Sequence, residues 1–395
     1  MTGSGAPGRP GWIGVAIASL GVVLIVGVSI HLSLANASQL DVLADWLVVQ
    51  AAWDPEASVG APLGELGQRY QVDYQPVLDP SQVSHPRTPG ALFLMSPLAL
   101  VPADTLPILW AGVSAALLSL LVLGGGRLIG LGWGQSGLAL LLAGIAPSAL
   151  ASFAFGTQSI LVAVLLAVAP LLVLRGWEGL GGSVLGVAIV LKLFPLLLLP
   201  VFVRFPRAVV SCVVTCVLLS GMGWLLPGVG LWDAAGSVAA APEVWFSLPH
   251  NGSLAAVLAH GLGLSRLWAT AVGAAFALVV LVGLLSQRAA GDPDRVLGVY
   301  LGLIPVALLA MPNSWLHYDL ALIPLAFFLA YGMEPPRWLG FGLLVLAVLG
   351  YGFLLLGLQM SWVSALSRLS AVIWVAILFQ TNSNNRGFLN RTIQT

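Results

Sequence analysis

The chain has 395 residues, of which 59% are hydrophobic and 8% are charged, and its mean hydropathy is +1.00. Soluble domains carry about 25% charged residues, so this composition excludes a water-soluble globular surface and indicates a polytopic membrane protein. The formal net charge is zero, which leaves no basic footprint for nucleic acid.

Apolar stretches of about 20 residues, long enough to cross a bilayer, follow one another along the chain. We predict spans at 11–35, 105–127, 134–153, 156–175, 180–203, 207–226, 266–286, 294–311, 315–332, 336–358 and 361–380. The shorter apolar run at 90–102 is either a short span or a re-entrant hairpin. Counting it gives about twelve passes, and omitting it gives eleven.

Positive charges in short loops choose between these counts, because Lys and Arg collect on the cytoplasmic side. Twelve passes with both termini inside are required if Arg9, the arginines of the later short loops and those of the C-terminus are all cytoplasmic. Arg127 and Arg175 fall outside in this scheme and oppose it. The chain is then a single integral membrane domain with cytoplasmic tails at 1–10 and 381–395 and external loops at 37–89 and 227–265.

The external loop 37–89 is a polar segment in an otherwise apolar chain, and it contains seven of the fifteen acidic residues. Within it, LDVLADWLVVQAAW has apolar residues at helical spacing and predicts a short helix along the membrane interface, with Trp46 and Trp53 as anchors. Asp45 stands just before Trp46, where a carboxylate at the lipid boundary can take a proton from a bound hydroxyl. We predict that Asp45 is catalytic. The alternative, a solvated loop acid, fits most of the other acidic residues.

Ionisable groups inside the predicted spans are few, and each costs roughly 2.5–3.5 kcal/mol at the bilayer centre. Lys192, the only lysine, lies midway along a span in GVAIVLKLFP. An ammonium facing a cavity suits an anionic group such as a lipid phosphate; the alternative is a lysine that reaches an interface. His317, in PNSWLHYDL, either hydrogen-bonds a phosphate or sugar hydroxyl or is satisfied by Asp319 or backbone.

Three further polar residues stand beside apolar runs. His250 and Asn251, in SLPHNGSLAAVL, end the second external loop, and Gln158 interrupts FAFGTQSILVAVL. For Gln158 the alternative to a binding role is a hydrogen bond between helices. The sequence contains no Walker loop, no G-x-G-x-x-G after a strand, no H-E-x-x-H and no C-x-x-C, so we do not expect nucleotide-dependent chemistry. The pair Asp292 and Asp294 is interpreted as the start of a helix.

Several segments then form an ordered set over about residues 11–330. They are DWLVVQAAW in the first loop, HPRTPGALFLMSPLALVP, GTQS, GVAIVLKLFP, HNGSLAAVL and PNSWLHYDL. This set resembles the polytopic GT-C glycosyltransferases, specifically glycosyltransferase family 87. Two features depart from the family pattern: His85-Pro86-Arg87 replaces an aromatic-Pro-Pro start, and Thr157 separates Gly156 from Gln158.

The resemblance implies a GT-C-like fold and an inverting transfer of mannose or another hexose. The donor is a polyprenyl-phosphate sugar, and the acceptor is a lipid or glycan hydroxyl at the external face, which we expect to be the periplasmic face of a bacterial plasma membrane. Asp45 is then the general base, Lys192 and His317 meet the donor phosphate, and Arg87 and Asn251 lie near sugar or phosphate. The full set of predicted substrate-binding residues is Lys192, His317, Arg87, Asn251, His250, Gln158 and His85. No cofactor and no metal ligand is predicted, and a divalent metal is left open.

Two functions of other classes remain as alternatives. A transporter or flippase would move an amphipathic or lipid-linked solute without a covalent product, and the lack of internal repeats opposes it. A scaffold subunit would use its intramembrane polar groups only to lock helices together, and it would tolerate the change of Lys192 to Met.

Overall fold

The computed structural model describes residues 11–75, 85, 87–230, 246, 251–286, 292–311, 313–332 and 365–373. These residues form helices and connecting turns, with an isolated antiparallel bridge between Asn251 and Trp315, so the all-α class is confirmed for this part of the chain. The predicted span at 336–358, the predicted tails and His250 lie outside the described residues.

Fifteen α-helices succeed one another among the described residues. They are α1 (Trp12–Ala35), α2 (Asp41–Trp53), α3 (Leu63–Arg69), α4 (Pro89–Met95), α5 (Leu106–Leu128), α6 (Trp133–Gly144), α7 (Pro147–Phe155), α8 (Ser159–Leu174), α9 (Glu178–Leu191), α10 (Pro206–Trp224), α11 (Leu254–Leu262), α12 (Arg266–Ser286), α13 (Pro293–Ala310), α14 (Ile323–Gly332) and α15 (365–373). Stretches of 3-10 helix lie at Ala37–Gln39, Ser96–Leu100, Phe194–Arg204 and Leu316–Leu322.

Five of these helices, α1, α5, α10, α12 and α13, are long and apolar enough to cross a membrane, and α6 with α7 makes a sixth if the bent pair is one span. Large apolar side chains such as Leu20 and Val23 on α1 point outward, as expected for surface that faces lipid. The structure therefore describes an integral membrane protein. The count of twelve passes stays a prediction.

Three of the predicted spans do not form single continuous α-helices. The span at 134–153 is the pair α6 and α7, which meet at 62°, because Pro147 begins a new helix at its first position. The span at 315–332 opens as a 3-10 helix, Leu316–Leu322, before α14 begins.

The third break places Lys192 outside regular helix. Helix α9 ends at Leu191, and Lys192 is extended (φ −147°, ψ 126°). Pro195 explains the position of the break, because proline lacks an N–H and its ring clashes with the carbonyl four residues earlier. Lys192 therefore lies where helix hydrogen bonding stops, rather than midway along a helix.

Helix α2 is present as predicted, but it is packed inside protein. Ten of its residues are buried, among them Asp45 and Trp46. Trp46 donates from Nε1 to the carbonyl of Val101 at 2.9 Å and so acts as a packing residue, whereas Trp53 is 49% exposed. The helix is enclosed because its sequence is apolar on most sides, which favours burial over a position flat on a surface.

A close approach of two backbones brings the loop after α3 against the bundle. A Cβ on Gly223 of α10 would clash with the carbonyl oxygen of Pro89, so only glycine fits where α10 crosses the start of α4. Thr88 caps α4 by accepting from the amide of Ala91 at 3.1 Å, and its hydroxyl donates to the carbonyl of Val190 at 2.8 Å. The residues before α4 are thereby held beside the end of α9.

Candidate active site

The carboxylate of Asp45 is bound by three side chains from other parts of the chain. Its Oδ1 accepts from Arg87 Nε at 2.6 Å and from His85 Nε2 at 2.9 Å. Its Oδ2 accepts from Gln158 Nε2 at 2.8 Å. Asp45 is 1% exposed. Four of the predicted site residues are thus in direct contact.

Local structure positions each of these side chains. His85 and Arg87 come directly before the Thr88 cap of α4, which is fastened to α9. Gln158 immediately precedes α8, and the chain reaches it through Gly156, whose φ of +60° is the left-handed conformation that ends α7. The extra residue Thr157 donates or accepts a hydrogen bond with Ser152 at 3.0 Å between their hydroxyl oxygens.

The site sets the charge of Asp45 and His85. Burial raises the pKa of Asp45, but the charge of Arg87 and the hydrogen bonds from Arg87 and His85 outweigh it and hold the pKa well below the usual carboxyl range. Burial and the charge of Arg87 lower the pKa of His85 against the opposing effect of Asp45. His85 is therefore neutral at pH 7. Because an ionised carboxylate only accepts, the proton of the bond between them sits on His85 Nε2.

A second group of predicted residues surrounds Tyr318. Lys192 Nζ lies 3.1 Å from Tyr318 Oη and 4.7 Å from the centre of its ring, a cation–π geometry. The His317 ring stands edge-on to Tyr318 at 4.7 Å between centroids, and Trp315 stacks parallel to His317 at 6.4 Å. Phe194 stacks on Tyr318 at 6.1 Å.

Electrostatic contacts connect the two groups. Arg87 interacts with Tyr318, and the charges of both Arg87 and Lys192 reach His317. Arg87, Lys192 and His85 also act on Asp41, one turn before Asp45 on α2. Asp45 with its partners and the residues around Tyr318 therefore lie close enough to interact electrostatically.

Asn251 has a structural contact that the sequence did not show. Its Oδ1 accepts from the backbone amides of Ser253 at 3.1 Å and Ser314 at 3.0 Å, and the amide of Gly252 donates to the carbonyl of Ser314 at 2.6 Å. Asn251 thus fastens the start of α11 to the segment that leads to His317. A direct contact of Asn251 with substrate stays a prediction.

Arg368 is a buried residue near the site that our sequence reasoning missed. It is 0% exposed, and its Nε donates to Asp319 Oδ1 at 2.6 Å. Its two terminal nitrogens donate to the carbonyls of Gly252 at 2.7 Å and Trp315 at 3.0 Å. An arginine inside an apolar segment is the signal that could have found it.

Several buried polar atoms have no partner among the described residues. They include Gln158 Oε1 beside Asp45, and Asn313 Oδ1 and Ser314 Oγ before His317. Unsatisfied buried atoms are uncommon in proteins and often indicate a ligand or an ordered water. Within the described ranges, no three His, Cys, Asp or Glu side chains converge as metal ligands would.

Comparison with known families decides the class of protein. The model of glycosyltransferase family 87 matches residues 88–312. This chain belongs to glycosyltransferase family 87. The predicted family is confirmed, and with it the enzyme class, a glycosyltransferase. Membership of this family favours the enzyme over the two alternatives, a transporter and a scaffold subunit.

Two curated relatives extend the match of this family 87 chain. Both are polyprenol-phosphate-mannose-dependent alpha-(1-2)-phosphatidylinositol pentamannoside mannosyltransferases. The protein of Mycolicibacterium smegmatis is 29% identical over 287 residues, 68% of this chain and 67% of the relative. The protein of Mycobacterium tuberculosis is 32% identical over 288 residues, 68% of this chain and 64% of the relative. No solved structure matches the chain.

The family match does not cover every residue of the site. It includes Gln158, Lys192 and Asn251, while Asp45 precedes it and His317 follows it. The roles of these side chains rest on their geometry and stay predictions.

Proposed function

We propose that this family 87 enzyme transfers mannose, or a closely related hexose, from a polyprenyl phosphate to a hydroxyl of a glycolipid or glycan. Family membership and the names of both relatives support a polyprenyl-phosphate sugar as donor. The observation that carries the proposal is the position of Asp45, whose carboxylate accepts a hydrogen bond from Arg87, while Lys192 acts on Asp41 one turn away on the same helix. A base for the acceptor and cations for the donor phosphate lie together.

In the proposed reaction an acceptor hydroxyl oxygen attacks the anomeric carbon, and the bond from that carbon to the phosphate oxygen breaks. The electron pair of the broken bond leaves with the polyprenyl phosphate, and the hydroxyl proton passes to Asp45. Attack on the face opposite the leaving group inverts the anomeric configuration. Fixed positive charge near the departing phosphate stabilises the transition state, which is the role of Lys192 and Arg87, with His317 as a neighbouring hydrogen-bonding group.

The hydrogen bonds of Asp45 are compatible with a role as general base. A carboxylate offers about four acceptor positions, and the three contacts from Arg87, His85 and Gln158 leave one on Oδ2. The charge of Arg87 and its hydrogen bond keep the basicity of Asp45 low. A donor phosphate that draws Arg87 toward itself weakens that ion pair, so donor binding makes Asp45 a stronger base.

The membrane arrangement belongs to the same proposal. We infer about twelve passes, with the loop 37–89 and the active site on the external face of a bacterial plasma membrane, because most of the short-loop arginines, though not Arg127 and Arg175, then lie inside. A lipid-linked donor fits this placement, since it needs no nucleotide and reaches the site through the bilayer.

The experiment is a transfer assay with purified protein in detergent. Polyprenyl-phosphate mannose and a phosphatidylinositol mannoside acceptor are incubated with the enzyme, and free polyprenyl phosphate and the extended glycolipid are measured together. Equal amounts of both products support the proposal. Failure to form either product, by protein that unfolds cooperatively on heating, contradicts it.

A further inference from the structure

Asp41 is a second carboxylate on the helix face of Asp45. It is the first residue of α2, and residues four apart in a helix lie on one face with about 5–6 Å between their Cβ atoms. Neither the sequence prediction nor the proposed mechanism gives Asp41 a part. Its position nonetheless places it beside the base.

The surroundings of Asp41 are those of the active site. The charged and titratable groups that face it are His85, Lys192 and Arg87, together with Asp45 on its own helix and Tyr74 from the following loop. The side chain is partly buried, and among the described residues no group donates a hydrogen bond to its carboxylate. Burial raises the pKa of Asp41 despite the nearby cations, in contrast to Asp45, whose three donors lower its pKa.

A purely structural role for Asp41 is weak. An acidic residue in the first turn of a helix interacts favourably with the helix dipole, but an exposed residue does this equally well. Glu65, in the first turn of α3, is such a residue and is exposed. Asp41 is instead partly buried one turn from the base, where a donor that arrives with a ligand would replace water on its carboxylate.

A second acceptor lies next to Asp45. Gln158 is 2% exposed; its Nε2 donates to Asp45, and its Oε1 has no partner among the described residues. Two acceptors thus lie near the base, the Asp41 carboxylate on α2 and the Gln158 carbonyl before α8. Sugar hydroxyls are donors that could satisfy both.

We propose that Asp41 binds the acceptor sugar by accepting a hydrogen bond from the hydroxyl adjacent to the one that Asp45 deprotonates. This inference rests on the proposed function, and it adds a specificity rule: the acceptor carries two neighbouring hydroxyls, of which one reacts and the other is held by Asp41. Sites that hydrogen-bond a substrate hydroxyl discriminate strongly against analogues that lack it, because their own polar group is left unpaired.

The test combines a change in the protein with a change in the acceptor. Octyl α-D-mannoside and its mono-deoxy analogues serve as acceptors, with polyprenyl-phosphate mannose as donor, for the wild-type enzyme, Asp41→Asn and Glu65→Gln. In the wild type, one deoxy analogue that keeps the reacting hydroxyl loses roughly tenfold to a hundredfold in kcat/KM, the range for a hydrogen bond to a charged group. Glu65→Gln behaves in the same way.

In Asp41→Asn, kcat/KM for octyl mannoside falls by a similar factor. The value for the deoxy analogue falls little further, because the contact is already weakened. The donor KM stays unchanged. An Asp41→Asn enzyme that keeps the full wild-type penalty for every missing hydroxyl overturns the inference while leaving the proposed function intact. If the wild-type enzyme transfers mannose neither to these acceptors nor to a phosphatidylinositol mannoside, the result contradicts the proposed function instead.

A binding measurement covers the case in which Asp41→Asn transfers too slowly to assay. Octyl α-D-mannoside is then added to each protein and the unfolding temperature is recorded, because a ligand that binds the folded state raises it. We expect a shift for the wild type and Glu65→Gln and a much smaller one for Asp41→Asn. Equal shifts in all three proteins overturn the inference.

Discussion

The Lys192 ammonium lies 3.1 Å from the phenol oxygen of Tyr318 and 4.7 Å from the centre of its ring. This contact joins the break after α9 to the 3-10 helix that carries His317. Lys192 lies outside regular helix, and its side chain contacts Tyr318 and acts electrostatically on His317 and Asp41. A single cation is thereby fixed where the proposed donor phosphate leaves.

Changing Lys192 to Met should lower kcat by about 10²–10³-fold, the cost of removing one group that stabilises developing charge. Lys192→Arg keeps the charge but not its compact form, and we expect intermediate activity. Release of polyprenyl phosphate measures both variants. Full activity of Lys192→Met would instead fit a lysine that only locks helices together.

Changing Gln158 to Glu tests the contact with Asp45. The variant has nearly the same shape, but it replaces the donor on Asp45 Oδ2 with a second carboxylate. Two carboxylates in contact share a proton, so one of the two pKa values rises. We expect at least a tenfold loss of kcat/KM at pH 7 and partial recovery as the pH falls and protonation restores a donor. A pH profile parallel to that of the wild type would contradict this contact.

Changing Arg87 to Gln should move the acid limb of the rate profile to higher pH. In the wild type Arg87 keeps Asp45 ionised at pH values below the usual carboxyl pKa. It also opposes the rise that burial causes in the pKa of Asp41. Without Arg87, burial dominates and both carboxylates protonate at a higher pH. The measurement is kcat/KM against pH, and an unchanged acid limb would contradict the assignment.

The same ion pair links stability to pH. Since the folded-state pKa of Asp45 is lowered, its contribution to stability is present above the usual carboxyl pKa of about 3.9 and is lost as the pH falls through the lower folded-state value. In Arg87→Gln burial raises the folded-state pKa of Asp45 above the unfolded value, so the folded state binds more protons than the unfolded state as the pH falls. Unfolding temperatures between pH 7 and pH 4 should therefore fall less steeply in Arg87→Gln than in the wild type.

Changing Arg368 to Met should destabilise the protein by about 3–5 kcal/mol, because it leaves Asp319 buried without its cation. Arg295→Met is the matched control, since Arg295 faces Asp292 at 3.6 Å with about a third of each side chain exposed, where an ion pair contributes about 0–1 kcal/mol. Thermal unfolding in detergent compares them. Equal loss in the two variants would contradict a structural role for Arg368.

Much of the fold follows from the length of the apolar segments. The spans predicted at 11–35 and 266–286 correspond to α1 (Trp12–Ala35) and α12 (Arg266–Ser286), because long hydrocarbon runs have few alternatives in a bilayer. The predictions were wrong where proline or polar residues interrupt such a run, as at Pro147 and Lys192. Hydropathy averages over these interruptions, and two of the three breaks carry predicted site residues, Lys192 and His317.

The site was predicted in part, for a similar reason. Single residues such as Asp45 and Lys192 stand out because charge is rare in this chain. Their partners do not: Gln158 meets Asp45 across 113 residues of sequence, and a contact of that range depends on helix packing that no local pattern records. Arg368 was missed because the segment around it was interpreted only as a span.

The most direct test of the account compares transfer by the wild type and by Asp45→Asn, which keeps the shape of the side chain and removes its charge. Mannose transfer and release of polyprenyl phosphate are measured together, with Asp104→Asn, an exposed loop acid, as the control. The account predicts a loss of about 10²–10⁴-fold in Asp45→Asn, with cooperative unfolding retained and Asp104→Asn unaffected. Transfer by Asp45→Asn at the wild-type rate would contradict it.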